Sequence, residues 1–131
     1  MPDFTWDHTH IKTYDVPGTA TWLKEKLGAS SVQGTTVSDA RADILIGGTK
    51  VIVTQVKQGD GTNPTPAIPY AGFEHFGLGV RDLDKVAADL KAKGVEFTRE
   101  PVTPRPGIRI CFIRSPQGIS IELLERDAKY V

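Results

Sequence analysis

Several short runs of the chain alternate apolar and polar residues with a period of two, the signature of half-buried strands. In "HTHIKTY", Thr9, Ile11 and Thr13 fall on one face and His8, His10, Lys12 and Tyr14 on the other. In "HFGLGVR", Phe76, Leu78 and Val80 alternate with His75, Gly77, Gly79 and Arg81. In "ISIELLE", Ile119, Ile121 and Leu123 alternate with Ser120, Glu122 and Leu124. Two other stretches carry helical spacing. One follows Asp15, with Leu23 and Leu27 four apart and Gly28 as a stop; the other follows Asp82, with Leu83, Val86, Ala87 and Leu90 on one face and Gly94 as a stop. Aspartate is a good N-cap and glycine a good residue just past a helix, so each helix has a physical cause at both ends. "ADILIGGTKVIVTQV" reads as two strands joined at Gly47-Gly48, which supply the positive φ angles of a tight hairpin.

The pattern repeats. His8 precedes Asp15 by the same interval that separates His75 from Asp82, and each pair leads into a helix and then into strands. The halves are assigned to 4–57 and 72–127, with a linker at 58–71 rich in Gly, Pro and polar residues. This mixture of strands and helices predicts an α+β fold.

Composition narrows the class. The 131 residues carry a formal net charge of +0, with both signs mixed along the chain. No basic stripe exists for nucleic acid or an anionic membrane, and no apolar run approaches the ~20 residues of a spanning helix. The start "MPDFTWDHTH" lacks the basic and apolar regions of a signal peptide. The single cysteine, Cys111, lies in the apolar run "IRICFI" and reads as a small core residue. A cytoplasmic protein is expected.

The chemistry concentrates on the polar faces of the first and last strands of the repeat. Glu122 is a carboxylate among aliphatic residues, and facing a cavity it needs a partner or a metal. His8, His75 and Glu122 make two imidazoles and a carboxylate, a set that suits divalent Fe, Mn, Zn, Ni or Co with positions left open.

Three segments, "DHTHIKTYD", "FEHFGLGVRDLDKVAADLKAKGVEF" and "FIRSPQGISIELLE", resemble the vicinal oxygen chelate superfamily of glyoxalases, epimerases, extradiol dioxygenases and bleomycin-resistance proteins. The last segment is similar to the family's Asp-Pro-x-Gly-x-x-x-Glu ending, with Ser115 in place of Asp. The resemblance implies two tandem βαβββ modules forming a curved mixed sheet around a metal-binding cavity. It also implies a homodimer and a small-molecule substrate. His8, His75 and Glu122 match the ligand positions, and His10 lines the same cavity. For a fourth ligand, a strict offset of 67 residues from the first half to the second selects Gln55, while anchoring on the turn glycines selects Ile52. The reading leans to Gln55.

The resemblance further implies a metal that grips substrate oxygens and stabilises an enolate-type intermediate. Glu122 and His10 are the candidate catalytic groups, with Asp43 as a further candidate base. One matched carboxylate is fewer than glyoxalase I usually offers its metal. Two His and one Glu equal the dioxygenase count, but Phe112 stands where a Tyr is expected and no further histidine remains. A metal-dependent lyase or isomerase working by proton transfer is therefore preferred. A ring-cleaving dioxygenase and a non-catalytic drug-binding protein stand as alternatives. Lys12, Arg81, Arg109 and Phe112 are assigned to substrate binding, with an anionic substrate in view. Arg105 and Arg109 are placed in or beside a "VTPRPGIRI" loop over the site mouth.

Overall fold

The computed structural model describes residues 3–127. The chain divides into two compact units, with the boundary after Asn63, inside the stretch expected to link the halves. The first unit holds β1 (His8–Thr13), α1 (Val16–Leu27), β2 (Ser30–Ser31), β3 (Arg41–Ile46) and β4 (Thr49–Gln55). The second holds β5 (His75–Gly79), α2 (Leu83–Ala92), β6 (Glu96–Arg105), β7 (Ile108–Arg114) and β8 (Ser120–Arg126). Each is a βαβββ module. As the resemblance implied, the modules are built on mixed sheets, one four-stranded sheet in each, ordered β1-β4-β3-β2 and β5-β8-β7-β6.

In both sheets the first and last strands run parallel and the remaining pairs antiparallel. Parallel neighbours require a crossover, which the helix supplies. Asp15 caps α1 by accepting a hydrogen bond from the Gly18 amide at 3.0 Å, and Asp82 caps α2 by accepting from the Lys85 amide at 3.2 Å. Gly28 ends α1 at φ 69°, where its amide donates to the Leu23 carbonyl. A side chain there would meet the left-handed penalty that glycine avoids. On α2, Glu125 of β8 accepts a second bond from the Leu83 amide at 2.7 Å, which ties the helix start to the sheet.

Alternation sorts the side chains as the sequence predicts. In the first unit Ile11, Val16, Ala20, Leu23, Ile44, Val51 and Val53 are buried between α1 and the sheet. In the second, Leu83, Ala87, Leu90, Cys111, Ile113, Ile121 and Leu123 form the core. Phe76, Leu78 and Val80 are only half-buried.

The expected "VTPRPGIRI" loop is not one. β6 continues through Pro101 and Pro104 to Arg105 and turns directly into β7. Its pairing with β7 slips in register at three places. Proline is tolerated there because β6 is an edge strand, where a missing amide donor costs no ladder bond.

Truncating Leu123, 2% exposed at the centre of the second core, leaves a cavity that local shifts fill only in part. Leu123→Ala should lower unfolding free energy by about 2–5 kcal/mol, and Asp82→Ala by about 1 kcal/mol through the lost cap. Urea denaturation followed by far-ultraviolet circular dichroism measures both, and a smaller loss for L123A than for D82A would contradict this core assignment.

Candidate functional site

In the second unit one side of the sheet packs on α2 and the other carries the chemistry. β5 and β8 are parallel and adjacent, so partner residues share a face: His75 with Ser120, Gly77 with Glu122, Gly79 with Leu124. Within this framework His75 Nε2 lies 3.3 Å from Glu122 Oε1. The other ring nitrogen, Nδ1, is 2.8 Å from Glu74 Oε1. Phe112, opposite Glu122 on β7, meets the His75 ring edge-on at 4.9 Å. The imidazole is thus held on three sides, by two carboxylates and an aromatic ring. Beside it opens a cleft of about 700 Å³ lined by Gly77, Gly79, Arg81, Glu122, Leu124 and Arg126, among others.

The corresponding face of the first unit carries His8, His10 and Lys12 on β1, against Lys50, Ile52 and Thr54 on β4. His8 Nδ1 lies 2.7 Å from Asp7 Oδ2, the same arrangement as Glu74 and His75. His10 Nε2 lies 2.7 Å from the Thr54 hydroxyl, which Lys12 Nζ approaches at 3.4 Å. Burial, then the nearby charges of Lys12, His8 and Arg41, hold His10 below the ordinary histidine range. Asp43 faces this side, opposite Ile52, but is bound by two hydrogen bonds to Arg41, whose guanidinium holds its carboxyl below the usual range. It is a paired charge and not a free base.

Two expectations need correction. The register places Ile52, not Gln55, at the position equivalent to Glu122: Ile52 pairs with the residue two beyond His8, and Glu122 with the residue two beyond His75. The strict offset fails because the second module has three more residues between its paired first and last strands. Gln55 pairs with Thr13, whose buried hydroxyl contacts Thr19 of α1. Alternation therefore puts Gln55 on the helix side, away from His8. Arg109 is likewise on the wrong face for substrate. It shares the parity of buried Cys111 and Ile113 on β7, and its guanidinium is bound to Asp84 at 2.8 Å and to Thr103 at 3.2 Å. The ion pair lowers the Asp84 carboxyl and raises the Arg109 guanidinium. Arg105 is an exposed residue at the end of β6, beside the turn into β7.

A model of the glyoxalase/bleomycin resistance protein/dioxygenase superfamily matches residues 5–123. The chain belongs to this superfamily. A probable chloroplastic lactoylglutathione lyase of Arabidopsis thaliana is 47% identical over 57 residues, 43% of this chain and 16% of that protein. A probable lactoylglutathione lyase of Synechocystis is 36% identical over 59 residues, 44% of this chain and 45% of that protein. The aligned stretches thus cover less than half the length of these relatives. Among solved structures, the fosfomycin resistance protein FosX of Listeria monocytogenes superposes with a TM-score of 0.72 at 16% identity, covering 96% of each chain. A glyoxalase/bleomycin resistance protein/dioxygenase from Alicyclobacillus acidocaldarius superposes at 0.69 and 17%, covering 99% of this chain and 96% of that one. These likenesses extend over the whole superfamily fold.

Glyoxalase-superfamily lyases generally depend on a divalent metal. Among the described residues no three His, Cys, Asp or Glu side chains gather into a group that could hold one. The donors within each unit nonetheless have the right chemistry. His75 Nε2 and Glu122 Oε1 are separated by about the distance of two adjacent ligands that each sit about 2.0–2.2 Å from an ion. A carboxylate at Nδ1 fixes a metal-binding imidazole in the tautomer that leaves Nε2 its lone pair. Asp7 and Glu74 provide this for His8 and His75. Sequence reasoning overlooked both acids, although the signal was present: an acidic residue directly precedes each of the two repeated histidines.

Cys111 is fully buried, and burial pushes its thiol up to about 11. It is a core residue and not a nucleophile. An aromatic disulfide reagent in mildly alkaline buffer should leave it unmodified in the folded chain and label it at one thiol per chain in urea. Rapid labelling without denaturant would show that the core is open there.

Proposed function

We propose that the chain is a metal-dependent lyase or isomerase that moves a proton on the carbon next to a substrate carbonyl, with His8, His75 and Glu122 as the metal ligands. The observation that carries this reading is the His75–Glu122 pair, at 3.3 Å, with Glu74 behind the imidazole. His8 with Asp7 behind it supplies the third donor of the same kind. A divalent cation held there would act as a Lewis acid on substrate oxygens.

The chain's own groups do the rest. Glu122 has a second carboxylate oxygen with which to take or return a proton, in the shelter of Phe112 and Leu124. His10 Nε2 is hydrogen-bonded to the Thr54 hydroxyl at 2.7 Å, a contact through which a proton can pass to or from substrate. Glu74 and Asp7 keep the two imidazoles oriented. Phe112 sets an apolar wall along one side of His75. Lys12, tethered weakly to Thr54, adds positive charge beside His10. The lactoylglutathione lyase relatives make a 2-hydroxyacyl thioester the first substrate class to examine.

Elemental analysis of the full chain purified with divalent metals tests the ligands. The wild type should retain the ion through dialysis, and Ala at His8, His75 or Glu122 should abolish retention. Glu74→Gln should weaken metal affinity by about 10–100-fold. His10→Gln should keep the metal and slow turnover by about 10²–10⁴-fold. Proton transfer is read by incorporation of solvent deuterium at the carbon beside the carbonyl. Oxygen uptake with catechols and no deuterium incorporation would replace this reading with ring cleavage. Unchanged metal retention in all three Ala variants would remove it.

A further inference from the structure

We infer that the cleft of the second unit selects a substrate ending in a carboxylate or phosphate, bound by Arg81 and Arg126 at the end remote from His75. This rests on the proposed function for the reacting end of the cleft. The anion site stands on separate observations.

Arg81 and Arg126 both line the cleft, with Glu122 between its walls as well. Each reaches the cleft from the end of a strand that the pairing sets side by side. Arg126 continues the parity of Glu122 and Leu124 along β8, and Arg81 follows two residues after Gly79, just past the end of β5, so that both line the cleft. Among the described residues neither guanidinium has an ion-pair partner, whereas Arg41 and Arg109 are each bound to an aspartate. Two like charges lining one cleft, with no ion-pair partner among the described residues, are a cost that a bound anion lowers. Their forked donors match carboxylate and phosphate oxygens.

The floor between the two ends is also informative. Gly77 and Gly79 place no side chain on it, and Leu124 makes it apolar. A methyl group at position 77 would come within 2.9 Å of Leu124 Cδ1, so the surface is flush and already closely packed. Arg126 lies four positions beyond Glu122, about 13 Å along the strand at about 3.3 Å per residue. The cleft therefore suits an elongated ligand: oxygens at the Glu122 end, a slim unbranched middle, and an anion at the far end.

The anion site is tested on the full chain without any added metal. Arginine side-chain Nε–Hε resonances, assigned through Arg81→Gln and Arg126→Gln, are followed during titration with inorganic phosphate and, separately, propionate. Saturable shifts of both resonances with at least one of these anions are expected. Shifts with one anion alone identify the terminal group. Shifts that grow linearly with either salt, or that appear equally at Arg99, would overturn the proposal. The spacing is tested with hydroxamates bearing a terminal carboxylate on chains of graded length, against their methyl esters, on the metal-loaded chain. The acid should bind at least about tenfold tighter than its ester at one optimal length, and the double variant R81Q/R126Q should reduce that ratio to near one. A ratio near one in the wild type at every length would overturn the proposed reach. If the chain retains no metal, the metal reading fails, while saturation at the two arginines still upholds the anion site.

Discussion

Parallel pairing of the first and last strands of each module is the constraint on which the arrangement depends. A parallel neighbour cannot be reached by a tight turn, so the chain must leave the sheet, cross one face as a helix, and return. That crossing dedicates one face to packing and leaves the other open. It also sets residues far apart in sequence next to one another with their side chains on the same side. His10 and Thr54, 44 residues apart, come to 2.7 Å in this way, and His75 meets Glu122 by the same logic. Antiparallel hairpins alone would bring together residues near each other in sequence, and the open face would lose these long-range pairs.

The two copies of the acid–imidazole arrangement differ in their surroundings. Asp7 is 79% exposed, while Glu74 is 25% exposed and shares its histidine with Glu122 and Phe112. Water and salt screen an exposed pair, so orientation of His8 by Asp7 is the softer of the two. The two modules thus share the acid–imidazole pair but not the Glu122 carboxylate, and hold the pair in different surroundings. The second module, with its flush floor and flanking guanidiniums, has become the more specialised surface. The first keeps a more basic face in which Arg41 and Asp43 neutralise one another.

Much of this was legible in the residue pattern. Alternation along β1, β5 and β8 gave the two faces of each sheet, and Asp and Gly marked the helix ends. Parity alone put His75 and Glu122 on one side. Register was not legible. A three-residue difference between the modules is invisible to any fixed offset, and it moved the equivalent of Glu122 from Gln55 to Ile52. β6 was cut short in the reading because Pro101 and Pro104 look like loop residues until the strand is known to lie at an edge. Arg109 was misplaced although its parity with Cys111 and Ile113 pointed to the helix side. That Arg81 and Arg126 have no ion-pair partner among the described residues could not be read at all, because it depends on where every nearby carboxylate ends up.

The prolines of β6 have one more effect. They strip amide donors from the outer rim of that strand, and the slips in its pairing with β7 bend what backbone is left. Such a rim is a poor template for a foreign strand. The opposite rim, along β5, carries no proline and includes glycines at 77 and 79. Within this unit, a further strand would meet fewer such blocks along β5, on the histidine-bearing side, than along β6. Any such growth is coupled to the chemistry, because a strand that docked there would lie directly against His75.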